Sequence, residues 1–176
     1  GVLVRSGFGL LLLLALAGLG KDGRGLPLYG AVCAFAGATV CSGLMALLTS
    51  VALIGLNVLA WIWLRRFAPE APDKAAVLPV VGTLVLLLAL GLSGAGVGLA
   101  PVLGAGAVLA GLCGAAWGTP LVQFTGLIRA ADGLVVVACV LNSWPLFAAA
   151  LSLWGVLAAL GITLLPRLAW RRVEDV

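Results

Sequence analysis

The sequence lacks histidine, has a single tyrosine and a single methionine, and carries little charge. Only 9% of its 176 residues are Asp, Glu, Lys or Arg, whereas 64% are hydrophobic and the mean hydropathy is +1.27. A soluble domain has about 25% charged residues, because its surface must face water. These values exclude a water-soluble domain and predict an integral membrane protein.

The absence of histidine also excludes the most familiar catalytic arrangements. The "GLSG" of Gly91–Gly94 matches the GxSG around the nucleophile of rhomboid-type intramembrane proteases. A serine nucleophile needs a base to take its proton, and in that family the base is histidine. Ser93 has no such partner here, no HExxH motif is present, and the six acidic residues do not pair within apolar segments. We therefore expect a protein that is not an enzyme and that holds no cofactor or metal.

The four cysteines lie inside apolar segments, and none forms a CxxC motif: Cys33, Cys41, Cys113 and Cys139. Redox and zinc sites commonly use such closely spaced pairs. The spacing predicts free thiols buried in helices.

Charged residues divide the chain into apolar blocks whose lengths predict the number of membrane spans. A helix rises about 1.5 Å per residue, so about 20 residues cross a hydrocarbon core roughly 30 Å thick. The uncharged blocks 26–64 and 75–128 are each long enough for two spans. Breaks are expected near Leu47–Ser50, Gly98–Pro101 and Asn142–Pro145. We predict an all-α polytopic transmembrane helical bundle of about seven spans, with five or six as alternatives: 3–20, 27–46, 49–66, 77–97, 100–118, 125–141 and 146–165.

The basic residues predict the orientation of these spans. If the seven segments cross alternately and the first runs inward, nine of the ten basic residues fall on one side and only Arg5 on the other. Cytoplasmic loops carry this excess of Lys and Arg. We therefore expect the N-terminus outside and the C-terminus inside.

The chain begins with glycine, and we expect residues 1–176 to be one helical-bundle domain that lacks its native N-terminus. Residues 1–17 have a basic residue, an apolar run and an "ALA" ending, which is also the pattern of a signal peptide. Since apolar segments follow almost without pause, a first spanning helix is the preferred interpretation.

Small residues recur at four-residue spacing between Gly91 and Gly118, and such stripes let two helix backbones approach closely in lipid. We expect them to pack helices within one bundle, with a homo-oligomer or another membrane subunit as the alternative partner. The predicted helix-packing residues are Gly94, Gly98, Gly111, Gly114 and Gly118.

A few polar residues lie within or beside the apolar segments, and they are the candidates for a transport pathway: Asn57, Gln123, Arg129, Asp132 and Asn142. Polar and ionisable side chains inside a membrane often mark such pathways. The alternative for Asn57 is a hydrogen bond that joins two helices. The alternative for Arg129 and Asp132 is a position at the membrane edge, from which the arginine reaches the headgroups.

Two loops resemble those of major facilitator transporters. "GKDGRG" (Gly20–Gly25) is similar to the turn between the second and third helices of a half-transporter, and "RRFAPEAPDKAA" (Arg65–Ala76) is similar to the link between its fourth and fifth helices. The resemblance implies that Asp22 and Arg24 correspond to the gating-loop charges of that family.

The expected function is the movement of a small solute across a membrane, as a secondary transporter or part of one. The alternative is a non-catalytic membrane or envelope component, or a subunit, that acts through helix packing with partners. The lipid bilayer is the expected surrounding in both cases. The basic residues lie in small groups between apolar runs, so nucleic acid is not expected as a partner.

Overall fold

The computed structural model describes residues 2–17, 25–65, 81–82, 84, 98–116 and 120–168, and these form an all-helical bundle. Six helices are defined within those ranges: α1 (Val2–Ala17), α2 (Leu26–Val40), α3 (Gly43–Leu64), α4 (Leu99–Ala116), α5 (Pro120–Val140) and α6 (Trp144–Leu168). Of the predicted span 77–97, the described residues 81, 82 and 84 are helical.

Three of these helices are long and apolar enough to cross a membrane: Gly43–Leu64, Pro120–Val140 and Trp144–Arg167. The other three are apolar but shorter. Large hydrophobic side chains are exposed on the outer faces of α1, α3 and α6, for example Leu13, Leu59 and Ile162. The helical bundle is thus as predicted, while the count of seven spans and the orientation stay predictions.

The turn between α2 and α3 differs from the predicted hairpin at Leu47–Ser50. The chain reverses at Cys41 and Ser42, which are extended, and Gly43 follows with φ +67°. Glycine adopts positive φ without the steric cost that a Cβ brings. Thr49, by contrast, is fully buried and its hydroxyl lies 3.2 Å from the Sγ of Cys139 on α5. The predicted position was wrong, because the length of the apolar block requires a hairpin but does not locate it.

The other two predicted breaks are confirmed. α4 begins directly after Gly98, whose φ is +102°. Asn142, with φ 49°, lies in the turn between α5 and α6, and the backbone N–H of Leu146 donates to the Ser143 hydroxyl at 3.3 Å. A serine in this position satisfies one of the free N–H groups at a helix start.

Helix α5 lies at the centre of the bundle. It packs against α2, α3, α4 and α6, and α1 completes the bundle by packing against α2 and α4. It begins at Pro120 rather than near Thr125 as predicted, because proline suits the first turn of a helix, where its missing N–H has no partner to lose.

Glycines bring α4 and α5 into backbone contact. A Cβ on Gly111 would lie 2.6 Å from the backbone N of Ala130, and one on Gly126 would lie 2.6 Å from the backbone N of Ala115. The two pairs, Gly111 with Ala115 and Gly126 with Ala130, have the four-residue spacing of small-residue packing motifs. Gly111, one of the predicted helix-packing residues, thus contacts a neighbouring helix of the same bundle.

Candidate functional site

Two charged side chains are buried among the described residues, and both lie in the middle of α5. Asp132 has no exposed surface, and Arg129 is 6% exposed. A charge removed from water costs free energy unless other groups compensate it. The surroundings of this pair therefore define the candidate site.

The carboxylate of Asp132 joins three helices. Its Oδ1 accepts a hydrogen bond from Asn57 Nδ2 on α3 at 3.1 Å and another from the indole Nε1 of Trp154 on α6 at 3.2 Å. Asn57 Nδ2 also donates to the backbone carbonyl of Leu53 at 2.7 Å, which holds the amide against its own helix. Hydrogen bonds to an ionised acceptor are stronger than those between neutral groups.

Small residues allow the helices to meet at this point. A Cβ on Gly30 of α2 would lie 2.7 Å from both the Cβ of Asn57 and the carbonyl O of Leu53. On α5, a Cβ on Gly133, the residue after Asp132, would lie 2.9 Å from the Cγ2 of Val108 on α4. The site thus depends on a glycine against Asn57 and a glycine beside Asp132, because a larger residue at either position would force the helices apart.

Arg129 extends towards the first turn of α2. Its Cζ lies 5.7 Å from the centroid of the Tyr29 ring, and its Nη2 would lie 3.3 Å from a Cβ on Gly25. A guanidinium at this distance from an aromatic ring gains a favourable cation–π interaction. The arginine therefore contacts the end of a neighbouring helix, while the aspartate, three residues later, is enclosed between helices.

Three polar atoms at the site are buried and have no hydrogen-bond partner: Asp132 Oδ2, Asn57 Oδ1 and the Tyr29 hydroxyl. In folded proteins roughly 90% or more of buried polar groups are paired, so each exception calls for a physical reason. The site contains two acceptor oxygens and one hydroxyl that are free to interact with a proton, a water molecule or a solute.

The structure brings together three of the five predicted pathway residues, Asn57, Arg129 and Asp132. The other two lie elsewhere. Gln123 lines an apolar cleft between α5 and α6, and Asn142 is exposed in the turn that joins them. The polarity of a residue does not tell which face of its helix it occupies, and for this reason the sequence grouped all five.

Of the other predicted site residues, the helix-packing and gating-loop candidates, only some lie within the described part of the chain. Gly98 is at the positive-φ position before α4, and Gly114 is buried on α4. The gating-loop candidates Asp22 and Arg24 lie outside the described residues, as do Gly94 and Gly118.

Two residues of the site, Trp154 and Tyr29, were not predicted from the sequence. A signal was present in both cases. Tryptophan is enriched at the membrane interfaces, where its polar tip can reach water. Trp154 instead lies in the middle of the 25-residue α6, where its indole N–H needs a buried acceptor. Tyr29 is the single tyrosine of the chain and lies in the first turn of α2.

The cysteines are all free thiols, as predicted, although only Cys33 and Cys139 are buried. Within the ranges that the structure describes, no group of three His, Cys, Asp or Glu side chains could hold a metal ion. Comparison with protein-family models, with curated proteins and with solved structures yields no match to this chain.

Proposed function

We propose that the protein is a multi-pass membrane protein that moves a small solute, with Asp132 as the charged centre of its pathway. The observation that carries the proposal is the enclosed carboxylate, which has one oxygen paired to two helices and the other oxygen unpaired. An ionisable side chain inside a membrane bundle is costly and most often marks a substrate or ion pathway.

The described basic residues support the orientation with the N-terminus outside. Arg65 and Arg167 are exposed at the C-terminal ends of α3 and α6, whereas Arg5 is exposed near the start of α1. With one further span between α3 and α4, the ends of α3 and α6 lie on the same side of the membrane. The guanidinium of Arg65 also lies 4.7 Å from the Trp61 ring, and tryptophan and arginine side by side are typical of a membrane interface.

This threading gives Arg129 and Asp132 different positions along the pathway. Arg129 reaches the first turn of α2, which is its cytoplasmic end, and Asp132 lies deeper in the bundle. A solute that enters from the cytoplasm would meet the guanidinium first and the carboxylate next. The few polar groups around them suit a small and weakly polar solute.

The alternative function is that of a non-catalytic membrane component or subunit that acts through helix packing. The observation that favours it is the pair of hydrogen bonds from α3 and α6 to one carboxylate oxygen, because these bonds also serve to hold helices together. The close small-residue contact between α4 and α5, however, is already used inside the bundle and is not free to bind a partner.

Thiol accessibility separates the two functions. Single cysteines at positions 57, 132, 128 and 142 are introduced into a chain whose four native cysteines are replaced, and each variant is treated in membranes with an impermeant thiol reagent. A pathway predicts that positions 57 and 132 react, although both are enclosed by protein. Position 142, in an exposed turn, is the reactive control.

Position 128 is the matched unreactive control, because Ile128 is fully buried on the same helix among apolar neighbours. Variants are included only if they elute as a single folded species. Reactivity at positions 57 and 132 no greater than at position 128 would contradict the transport function and favour the packing component.

A further inference from the structure

The side chains of Asp132 and Asn57 share one hydrogen bond, although each has a second oxygen that could take part in another. Asn57 Nδ2 donates to Asp132 Oδ1 at 3.1 Å. The second oxygen of each side chain, Asp132 Oδ2 and Asn57 Oδ1, is buried and has no hydrogen-bond partner. An ionised carboxylate accepts but cannot donate, and so does an amide oxygen. As long as Asp132 is ionised, neither oxygen can satisfy the other.

One proton removes this mismatch. When Asp132 Oδ2 binds a proton it becomes an O–H donor, and Asn57 Oδ1 is the unpaired acceptor on the side chain already bonded to Asp132. A carboxylic acid and a carboxamide can then form two parallel hydrogen bonds, one in each direction. The step takes one proton from a hydronium ion of the solvent: an O–H bond of the hydronium breaks and leaves water, the O–H bond of the acid forms, and the charge of the carboxyl group changes from −1 to zero.

The other groups that face Asp132 have defined effects on this step. The positive charge of Arg129, on the same helix, favours the ionised form, as do the donors Asn57 Nδ2 and Trp154 Nε1. From α2 the titratable groups are Tyr29 and Cys33, which are both buried. On α4 the only titratable side chain is Cys113, and α3 has none.

Asp132 is also the one Asp or Glu among the described residues, so no second acid within them competes for the proton. Enclosure between helices opposes its charge, because a carboxylate without water loses its hydration. The site therefore has two alternative states: an ionised one held by Arg129 and the two N–H donors, and a neutral one held by the acid–amide pair.

We infer that Asp132 is a proton-binding site whose proton is shared with Asn57. The proton site stands on the geometry of these two side chains. Its use as the coupling-ion site, in which proton binding and release accompany solute movement, rests on the transport function proposed above.

Infrared difference spectroscopy on the purified protein tests the proton site without any solute. Spectra at alkaline and acidic pH are subtracted, and the carbonyl stretch of a protonated carboxyl group is followed. We expect a band that appears on acidification, is absent in Asp132→Asn, and moves to higher frequency in Asn57→Leu, since the acid then loses its amide partner.

Thr125→Val is the matched control, because Thr125 is a buried polar residue of the same helix whose hydroxyl donates to the Leu121 carbonyl at 2.9 Å. Its band should coincide with that of the unchanged chain. The inference is overturned if wild type and Asp132→Asn show the same carboxyl bands at every pH at which both are folded. It is also overturned if the band has the same frequency in Asn57→Leu as in wild type.

A second measurement needs no variant at all. Dicyclohexylcarbodiimide, an apolar reagent, modifies protonated carboxyl groups in apolar surroundings, and mass spectrometry locates the product. Labelling of Asp132 in the unchanged chain should increase as the pH falls, and no labelling at any pH would overturn the proton site.

The failure of this inference and that of the transport function are distinguishable. A thiol-accessible pathway without a titrating Asp132 would remove the proton site but leave transport in place. A titrating Asp132 in a chain whose positions 57 and 132 are closed to the thiol reagent would remove transport and the coupling role, and leave the proton site.

Discussion

Helix α5 differs from the two other long helices, α3 and α6, in its hydropathy and in how much of it is buried. The most apolar stretch of 18 residues in α5 has a mean hydropathy of 1.5 and is 78% buried within the protein. The corresponding stretches of α3 and α6 each have a mean hydropathy of 2.1 and are each 22% buried. The least hydrophobic of the three helices is therefore the one that the others enclose.

The physical reason is the environment of each helix. A helix that faces lipid can hold almost no charge, whereas a helix surrounded by protein finds donors and acceptors for its polar groups. Asp132 and Arg129 are tolerated because they lie on the enclosed helix. The comparison shows that low hydropathy in one apolar segment among several points to the segment at the centre of the bundle.

The largest expected effect comes from a substitution that disrupts the backbone contact between α5 and α4. Gly126→Leu places a side chain where even a Cβ would lie 2.6 Å from the backbone N of Ala115, so α4 and α5 must separate. We expect a loss on the order of 4 kcal/mol in the free energy of unfolding, above the usual range for overpacked cores, because the clash is with backbone atoms that no change of rotamer can relieve. Thermal unfolding in detergent, followed by circular dichroism, measures it.

Gly155→Leu on α6 is the matched control, because nothing lies within 4 Å of a Cβ built on Gly155. It should leave stability unchanged or raise it by up to about 1 kcal/mol, because leucine favours a helix more than glycine does. Equal destabilisation by both changes would contradict the difference between the two helices.

The second effect concerns the exposed face of α3. Ile54 is 45% exposed near the middle of the helix. If that face contacts lipid, Ile54→Lys should reduce membrane insertion by about 2.5–3.5 kcal/mol, the penalty for a lysine at the centre of a spanning helix. Insertion into microsomes, with glycosylation sites on either side of α3, gives the inserted fraction. Ile54→Leu should insert like wild type, and a Lys variant that inserts equally well would show that this face does not meet lipid.

The third effect concerns Asp132, the buried acidic residue of the enclosed helix α5. Asp132→Leu removes the acceptor of the Trp154 indole N–H, and an orphaned buried donor costs about 1–3 kcal/mol. Asp132→Asn keeps an acceptor oxygen and should be more stable than the leucine variant. Chemical unfolding in mixed micelles compares the two.

A double substitution sharpens this prediction. In Asp132→Leu/Trp154→Phe the donor is removed together with its acceptor, so part of the lost stability should return. Purely additive effects would mean that the indole N–H does not depend on the carboxylate.

The smallest effect lies at the turn between the enclosed α5 and the exposed α6. Asn142 has φ 49°, a conformation that costs other L-residues about 1–2 kcal/mol. Asn142→Ala should therefore lower stability by about 1 kcal/mol, and Asn142→Gly should leave it close to wild type, as heat-denaturation midpoints would show. A glycine variant as unstable as the alanine variant would indicate that the Asn142 side chain, and not its φ angle, matters.

Much of the fold followed from local features of the sequence. The breaks at Gly98 and at Asn142–Pro145 were predictable because glycine, asparagine and proline restrict or permit particular backbone conformations. The turn before α3 was predicted in the wrong place, because the length of an apolar block does not locate its hairpin, and residues such as Thr49 and Ser50 occur both in turns and inside helices. Whether such residues end a helix or pack inside it depends on a partner, here Cys139, that is 90 residues away.

The candidate site was only partly predictable for the same reason. Asn57, Arg129 and Asp132 stood out as polar residues in apolar segments, and so did Gln123 and Asn142. Trp154 was not included, because its mid-helix position signals a buried acceptor but does not tell that the acceptor lies 22 residues earlier in the chain. Contacts between helices depend on helix rotation, which a weak amphipathic pattern leaves almost undetermined.

By itself, the sequence determined the helical and strongly apolar character of this chain, the positions of two turns and the set of polar residues from which a site could form. Composition and local backbone preference are enough for these features. Only the tertiary structure decided that α5 is the enclosed helix, that Asp132 meets Asn57 and Trp154, and that two of its predicted companions lie elsewhere. Those outcomes depend on which faces of the helices contact each other, and residues far apart in the sequence determine these contacts jointly.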